Sequence, residues 1–462
     1  MDQDPTETAA EYFGEIEKEL KKMSESERKT GKRSLNTAGD ISTSGEVRLE
    51  LPGGSVMLPL IEGTLGEKAL DIRGLKAETG YICLDEGLAN TGTCLSRITF
   101  VDGEKGILKY RGYPIEQVAE KADIVETALL LFNGEFPSKE EKADFCRRLR
   151  KHGLLHEGLR HHFEGFPPGA HPMAILSAMI NASSCYREEL LERDTEEDIL
   201  DSAALLISKV RTIAAFSYKK SRGEPVVYPN PELDYCENFL HMMFSLPYAE
   251  YEPSPEMARA LHLFMILHAD HEQNCSTTTA RMVGSSGANM FASVAAAVCA
   301  LWGRLHGGAN SAVIEMLKDI ADGVDSVKSV IEKAKKGESP LWGFGHRVYK
   351  SNDPRVKLLK KASEDLLHAL GSNDPLFEIA KELETVAIND SFFVERRLYP
   401  NLDFYSGILL RAVGIPLEMF TVMFAIGRMP GWIANWIEVA QSRSKIYRPR
   451  QIYVGVPERE IL

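Results

Sequence analysis

EMARALHLFMILHAD (256–270) carries apolar residues at spacings of three and four, with His268 near its end and His271 just beyond it. Periodicity of that kind predicts an amphipathic helix. The pattern recurs outward in both directions, in IEQVAEKADIVETALLLF (115–132), ILDSAALLISKVRTIAAFSY (199–218) and MFASVAAAVCALWG (290–303). No sustained strand–helix alternation is present, which disfavours a doubly wound sheet, and no fixed-period repeat points to a solenoid. The fold class is therefore read as mainly α. Residues 290–302 are dominated by Ala, Ser and Val, small enough for close helix packing in a core or a subunit contact. The most apolar stretch, 419–437, is broken by Arg428, Pro430 and Asn435 and reads as a buried or subunit-contact helix rather than a membrane span.

At 462 residues the chain exceeds what one hydrophobic core usually supports, so two lobes are expected, with a cleft between them. Residues 1–45 mix charge blocks with a Ser/Thr/Gly run and read as a mobile arm. Residues 46–110 change to short alternations such as VRLEL and RITFV, punctuated by PGG and DGEKG, which predicts a small β-rich cap.

A net charge of -13 argues against nonspecific nucleic-acid binding, which needs clustered positive charge, so an anionic ligand requires a local basic pocket. The seven cysteines are scattered and form no CxxC pair, which suggests a reducing compartment and no structural zinc. The opening MDQDPTET has neither secretory nor transit-peptide character, so a cytoplasmic location is expected.

Five segments hold the chemistry-bearing side chains: LHADHEQN (267–274), RLHGGAN (304–310), GFGHRVYKSNDPR (343–355), YPNLDFYSG (399–407) and YRPRQIY (447–453). If they converge, they supply neutral hydrogen-bond donors, one carboxylate base and several guanidinium groups, a set suited to carbon-acid chemistry on an anionic substrate. Taken singly, each has a bland alternative. His268 and His271 share a helix face and read as structural, substrate-binding or metal-ligating, although the HExxH spacing is absent. His306 follows a small-residue helix in HGGAN, as a turn residue or as a donor to an enolate-like oxygen. His346 follows the same logic, with Gly343 and Gly345 keeping the backbone slim around it. Asp403 reads as a helix N-cap or as a base whose pKa partial burial would raise. Arg355 alone reads as a surface group. Arg428 interrupts an apolar helix, where an unpaired charge would be costly, and should face an anion. Arg448 and Arg450 flank Pro449, where a guanidinium could grip a carboxylate.

Together, the order and spacing of these segments from residue 46 to the C-terminus resemble citrate synthase. The resemblance implies an almost entirely helical, two-domain fold, with a large domain of 111–307 plus 413–462 and a small domain of 308–412 closing over the substrates. It implies that His306 hydrogen-bonds the acetyl-CoA thioester carbonyl, that Asp403 removes the methyl proton and that His346 polarises the oxaloacetate ketone. His271, Arg355, Arg428 and Arg448 are implied as oxaloacetate and citrate ligands, Arg448 reaching the neighbouring subunit's pocket. No metal or cofactor is implied, acetyl-CoA being a substrate, and the working unit is at least a homodimer. The segment 46–110 is similar to the longer bacterial type that often forms hexamers and can be NADH-inhibited. Where those enzymes carry a reactive cysteine, in MMFSLPYAEY (242–251), this chain has Tyr248, so that regulation is not carried over. The nearest alternative is 2-methylcitrate synthase, using propanoyl-CoA with the same residues. A metal-dependent hydrolase built on His268, His271, His306, His346 and Asp403, and a noncatalytic helical scaffold, are the readings from other classes.

Overall fold

The computed structural model describes residues 43–187, 195–249, 251–442 and 445–461. Most of the expected N-terminal arm, residues 1–42, lies outside the described residues, and its last three residues begin the first strand. The chain divides between Gly74 and Leu75 into two compact units.

The first unit holds an antiparallel sheet of β1 (Thr43–Leu51), β2 (Gly54–Glu62) and β3 (Lys68–Leu70). Its register pairs Val47 with Leu58, Leu49 with Val56 and Leu60 with Leu70. Side chains alternate along a strand, so this register gathers all six apolar residues on one face. The second unit opens on a short helix, Leu75–Thr79, and then forms a separate sheet of β4 (Thr99–Asp102), β5 (Ile107–Tyr110) and β6 (Tyr113–Pro114). The β-rich stretch expected over 46–110 thus consists of two sheets in different units.

Helices follow from Ile115 onward. Those that build the site are α1 (Pro255–His268), α2 (Cys275–Gly284), α3 (Met290–Leu301), α4 (Ala309–Ala321), α5 (Pro354–Ala369), α6 (Leu402–Val413) and α7 (Phe420–Gln441). Their starts follow capping chemistry. Ser254, Asn274, Asn289, Asp353 and Asn401 each accept backbone N–H groups that the first turn leaves unpaired. The apolar stretch singled out in sequence forms α7, which is buried along most of its length and packs against α1, α2 and α3. Trp432 is wholly buried there. Truncating it to alanine would cost on the order of 3–5 kcal/mol. The small side chains of α3 let it pack closely against α2 as well as α7. A second cluster joins α5, α6 and α4, with α6 also meeting α1. No helix among the described residues is long and apolar enough to cross a membrane.

Candidate active site

The end of α1 delivers His271, and two strands fix the turn that carries it. The buried Tyr110 hydroxyl of β5 lies 2.9 Å from the Asp270 carbonyl oxygen and 3.1 Å from that of Ile266, and it accepts the Asp270 N–H at 3.2 Å. Glu272 takes a left-handed φ of 48°, and its carboxylate accepts the Val101 N–H of β4 at 3.0 Å. A left-handed non-glycine residue beside a candidate ligand is a small store of strain that the surrounding contacts must hold. His268 goes elsewhere: its Nδ1 hydrogen-bonds the Phe264 carbonyl at 2.7 Å and its ring is wedged between Phe264 and Phe424. Of the three readings open for the pair, His268 therefore takes the structural one.

His346 sits within a loop pinned to the segment leading into α6. Gly343 and Gly345 adopt φ of 81° and 79°. A Cβ on Gly343 would fall 2.9 Å from the Cβ of Phe404, the residue after Asp403. Asn401 ties the two pieces together. Its Oδ1 caps α6 by accepting the Asp403 N–H at 3.0 Å, while its Nδ2 donates to the Gly345 carbonyl at 2.8 Å. The cap is thus Asn401, and the N-cap reading of Asp403 gives way because Asp403 sits at the second helical position. Asn401→Asp keeps a good cap but removes the donor to Gly345. We expect the α6 helix to persist by circular dichroism while kcat falls by about tenfold or more, as misplaced reacting groups lose rate steeply.

The tautomers of two imidazoles follow from their partners. His346 Nδ1 accepts the N–H groups of Val348 at 3.0 Å and Tyr349 at 3.1 Å, which leaves its proton on Nε2. His306 Nε2 accepts the Ser276 N–H at 3.2 Å, one of the open donors at the start of α2, which leaves its proton on Nδ1. Ser276 is held in turn: its hydroxyl lies 2.9 Å from the same His306 nitrogen and 2.8 Å from the Asn274 side-chain oxygen, sharing its one proton between these two acceptors, and it accepts the Trp432 indole N–H at 3.1 Å. Burial lowers both pKa values to about 4, with Arg428 adding to the effect on His306 and Arg355 on His346. Both rings are neutral donors at physiological pH. Burial likewise holds His271 well below the ordinary histidine range, with Arg355, His346 and Arg428 adding to it.

Asp403 is half-buried, and its carboxylate makes no hydrogen bond among the described residues. Burial raises its pKa to about 6, against the opposing pull of Arg355. The two arginines differ. Arg355 is 2% exposed, so the surface reading fails. Its guanidinium grips Asp353 through Nε at 2.9 Å and Nη2 at 2.7 Å. Burial opposes its charge, and Asp353 more than offsets that. Arg428, also 2% exposed, meets no carboxylate at ion-pair distance among the described residues. Its Nε donates to the His268 carbonyl, and Nη1 has no partner. Burial lowers its pKa to about 10, with Asp270 acting the other way.

The His271 and His346 rings stand 5.3 Å apart, the Arg355 and Arg428 charges act on both His271 and Asp403, Arg355 also acts on His346 and Arg428 on His306, so these six side chains converge. Arg448 does not join them. It is exposed, in the extended C-terminal segment 445–461. Tyr248, at the position considered for a reactive cysteine, is 85% exposed. Among the described residues no group of three or more His, Cys, Asp or Glu is arranged to hold a metal ion. A cavity of about 520 Å³ is lined by Arg304 and Gly308, on either side of His306 in the chain, together with Lys333, Pro340 and Trp342. Sequence reasoning missed Tyr110, Ser276, Tyr349, Asp353 and Asn401. Only Asp353 and Asn401 carried a local signal, as Asx residues just ahead of helical patterns.

A helical chain with neutral imidazole donors, one desolvated carboxylate and a buried unpaired guanidinium has the makings of an acid–base enzyme for an anionic substrate. The family model described as citrate synthase, C-terminal domain, matches residues 87–450. Citrate synthase 1 of Mycobacterium tuberculosis is 48% identical over 421 residues, covering 90% of this chain and 98% of that protein. The crystal structure of citrate synthase from Pyrobaculum aerophilum superposes with a TM-score of 0.75 at 35% identity, covering 92% of this chain and 99% of that one. The citrate synthase of Thermoplasma acidophilum, in ternary complex with carboxymethyl coenzyme A and oxaloacetate, superposes with a TM-score of 0.75 at 30% identity, covering 82% of this chain and 98% of that one. The chain belongs to the citrate synthase family. Its reaction is the condensation of acetyl-CoA with oxaloacetate and water to give citrate and CoA.

Proposed function

We propose that Asp403 removes the methyl proton of acetyl-CoA while His306 Nδ1–H stabilises the enolate oxygen that develops. A thioester methyl is a very weak acid, so the two events must be coupled. The nucleophilic carbon then attacks the oxaloacetate ketone polarised by His346 Nε2–H, and water hydrolyses the resulting citryl-CoA. Arg355, Arg428 and His271 hold oxaloacetate. Arg428 carries this reading: a buried guanidinium without an ion-pair partner is complete only when an anion arrives. Arg448 serves the neighbouring subunit's pocket in a homodimer or larger assembly, a role its exposed place in the C-terminal segment supports. The 520 Å³ cavity beside the His306 turn takes part of CoA, its volume lying within the range of ligand pockets. The scheme uses no metal or cofactor.

The large domain of 111–307 plus 413–462 and the small domain of 308–412 close over the substrates, excluding water until condensation is complete. The reaction takes place in the cytoplasm.

Oxaloacetate-dependent release of CoA thiol from acetyl-CoA, measured with and without chelator, tests this reading. Release unaffected by chelator is expected, and loss of activity on chelation would overturn it. The pH dependence follows from the base. Asp403 acts only when ionised, and its pKa is about 6, so kcat/KM for acetyl-CoA falls by about tenfold per unit as pH drops below that value. His306 and His346, at about 4, add a second fall only at lower pH. A profile flat from pH 7 to pH 5 would contradict the assignment of the base.

A further inference from the structure

Tyr349 lies at the centre of the oxaloacetate end of the site, and the reaction scheme above gives it no role. It is 2% exposed. Its ring packs at 5.5 Å from the His271 ring and 4.8 Å from the His346 ring, which are themselves 5.3 Å apart, and the Arg355 guanidinium stands 5.9 Å from its centroid. Its backbone N–H is one of the two that fix the His346 tautomer. The phenol makes one hydrogen bond among the described residues, to His271 Nε2 at 3.2 Å. A buried hydroxyl has one proton to place, and leaving it unpaired costs far more than sharing it. No other acceptor is offered, so the phenol donates. Burial holds the phenol protonated, far above its ordinary pKa, with Arg355 opposing.

We infer that Tyr349 is a positioning residue for oxaloacetate: by donating to His271 Nε2 it fixes that imidazole as the Nδ1–H tautomer, with one donor in one orientation. This rests on the proposed role of His271 as an oxaloacetate ligand. Without the phenol, a buried neutral imidazole is free to redistribute its proton between two nitrogens, and only one arrangement presents the donor that the substrate meets. The ring would still be needed for packing, so the hydroxyl is the group to test.

Tyr349→Phe keeps the ring stack and removes only the phenol. The expected result is a KM for oxaloacetate raised about tenfold, with the KM for acetyl-CoA and the melting temperature near native values. Selective 15N-histidine labelling of the unliganded enzyme, with His271 assigned through His271→Asn, reads the tautomer directly. In the native enzyme Nε2 is expected to resonate as an unprotonated nitrogen, and in Tyr349→Phe to move toward the protonated position. A protonated Nε2 in the native enzyme would overturn the inference. So would a native oxaloacetate KM in Tyr349→Phe alongside a raised one in His271→Asn, which would leave the site reading standing. A native KM in both variants would remove the role of His271 and the inference with it.

Discussion

Replacing Asp403 with asparagine is expected to lower kcat by about 10³-fold or more while leaving the oxaloacetate Kd near its native value. The substitution is nearly isosteric and preserves the Asn401 cap, since the capped group is the backbone N–H of residue 403. It removes the only group among the converging residues that can take up a carbon-bound proton, both donor imidazoles being committed by their tautomers. The same substitution is expected to raise the melting temperature. The Asp403 pKa stands at about 6 rather than 3.8. Between those values the folded chain binds the proton more tightly than the unfolded chain. Stability therefore falls as pH rises through that window, and above it the ionised carboxylate costs on the order of 3 kcal/mol. Asparagine never pays that desolvation. Calorimetry across pH 4 to 8 should show the variant gaining on the native chain as pH rises, with the gain levelling above about pH 6. A turnover rate close to native would remove Asp403 from the mechanism.

Arg428→Met should weaken oxaloacetate binding by about 10²-fold, the scale of losing a buried charge-assisted contact. The unliganded fold should be unharmed or slightly stabilised. Methionine fills much of the same apolar volume in α7, and removing an unpaired buried cation relieves its desolvation. Arg355 is different, because its charge is matched by Asp353 and its removal would strand a buried carboxylate. Isothermal titration with oxaloacetate checks the affinity, and thermal unfolding without ligand checks the fold. Native affinity in Arg428→Met would show that the unpaired guanidinium is not an oxaloacetate anchor.

Arg428 was also the most legible site residue, because a charge within an apolar helical run has few affordable settings. The helices were legible for the same kind of reason, since periodicity at three and four is local information. What the sequence left open depended on partners from distant elements. Whether Arg355 lay on the surface turned on burial by the packed helices, and its pairing with Asp353 turned on the geometry of a helix start. The tautomer of His306 depends on Ser276 in another helix, and the His271 turn depends on Tyr110 in a strand more than a hundred residues earlier. The N-cap reading of Asp403 failed by a helix boundary displaced by two residues, the observed cap being Asn401, and such boundaries are the least certain feature of any periodic pattern. The two sheets within 46–110 look alike in sequence, because alternation reports strands without reporting which strands pair.

Acetyl-CoA and propanoyl-CoA differ by one methylene, a difference worth only about 1–3 kcal/mol in a pocket. The measurement that bears most directly on citrate synthesis is the ratio of kcat/KM for the two thioesters, taken with saturating oxaloacetate on the whole chain. A ratio favouring acetyl-CoA is predicted, and a preference for propanoyl-CoA would contradict it.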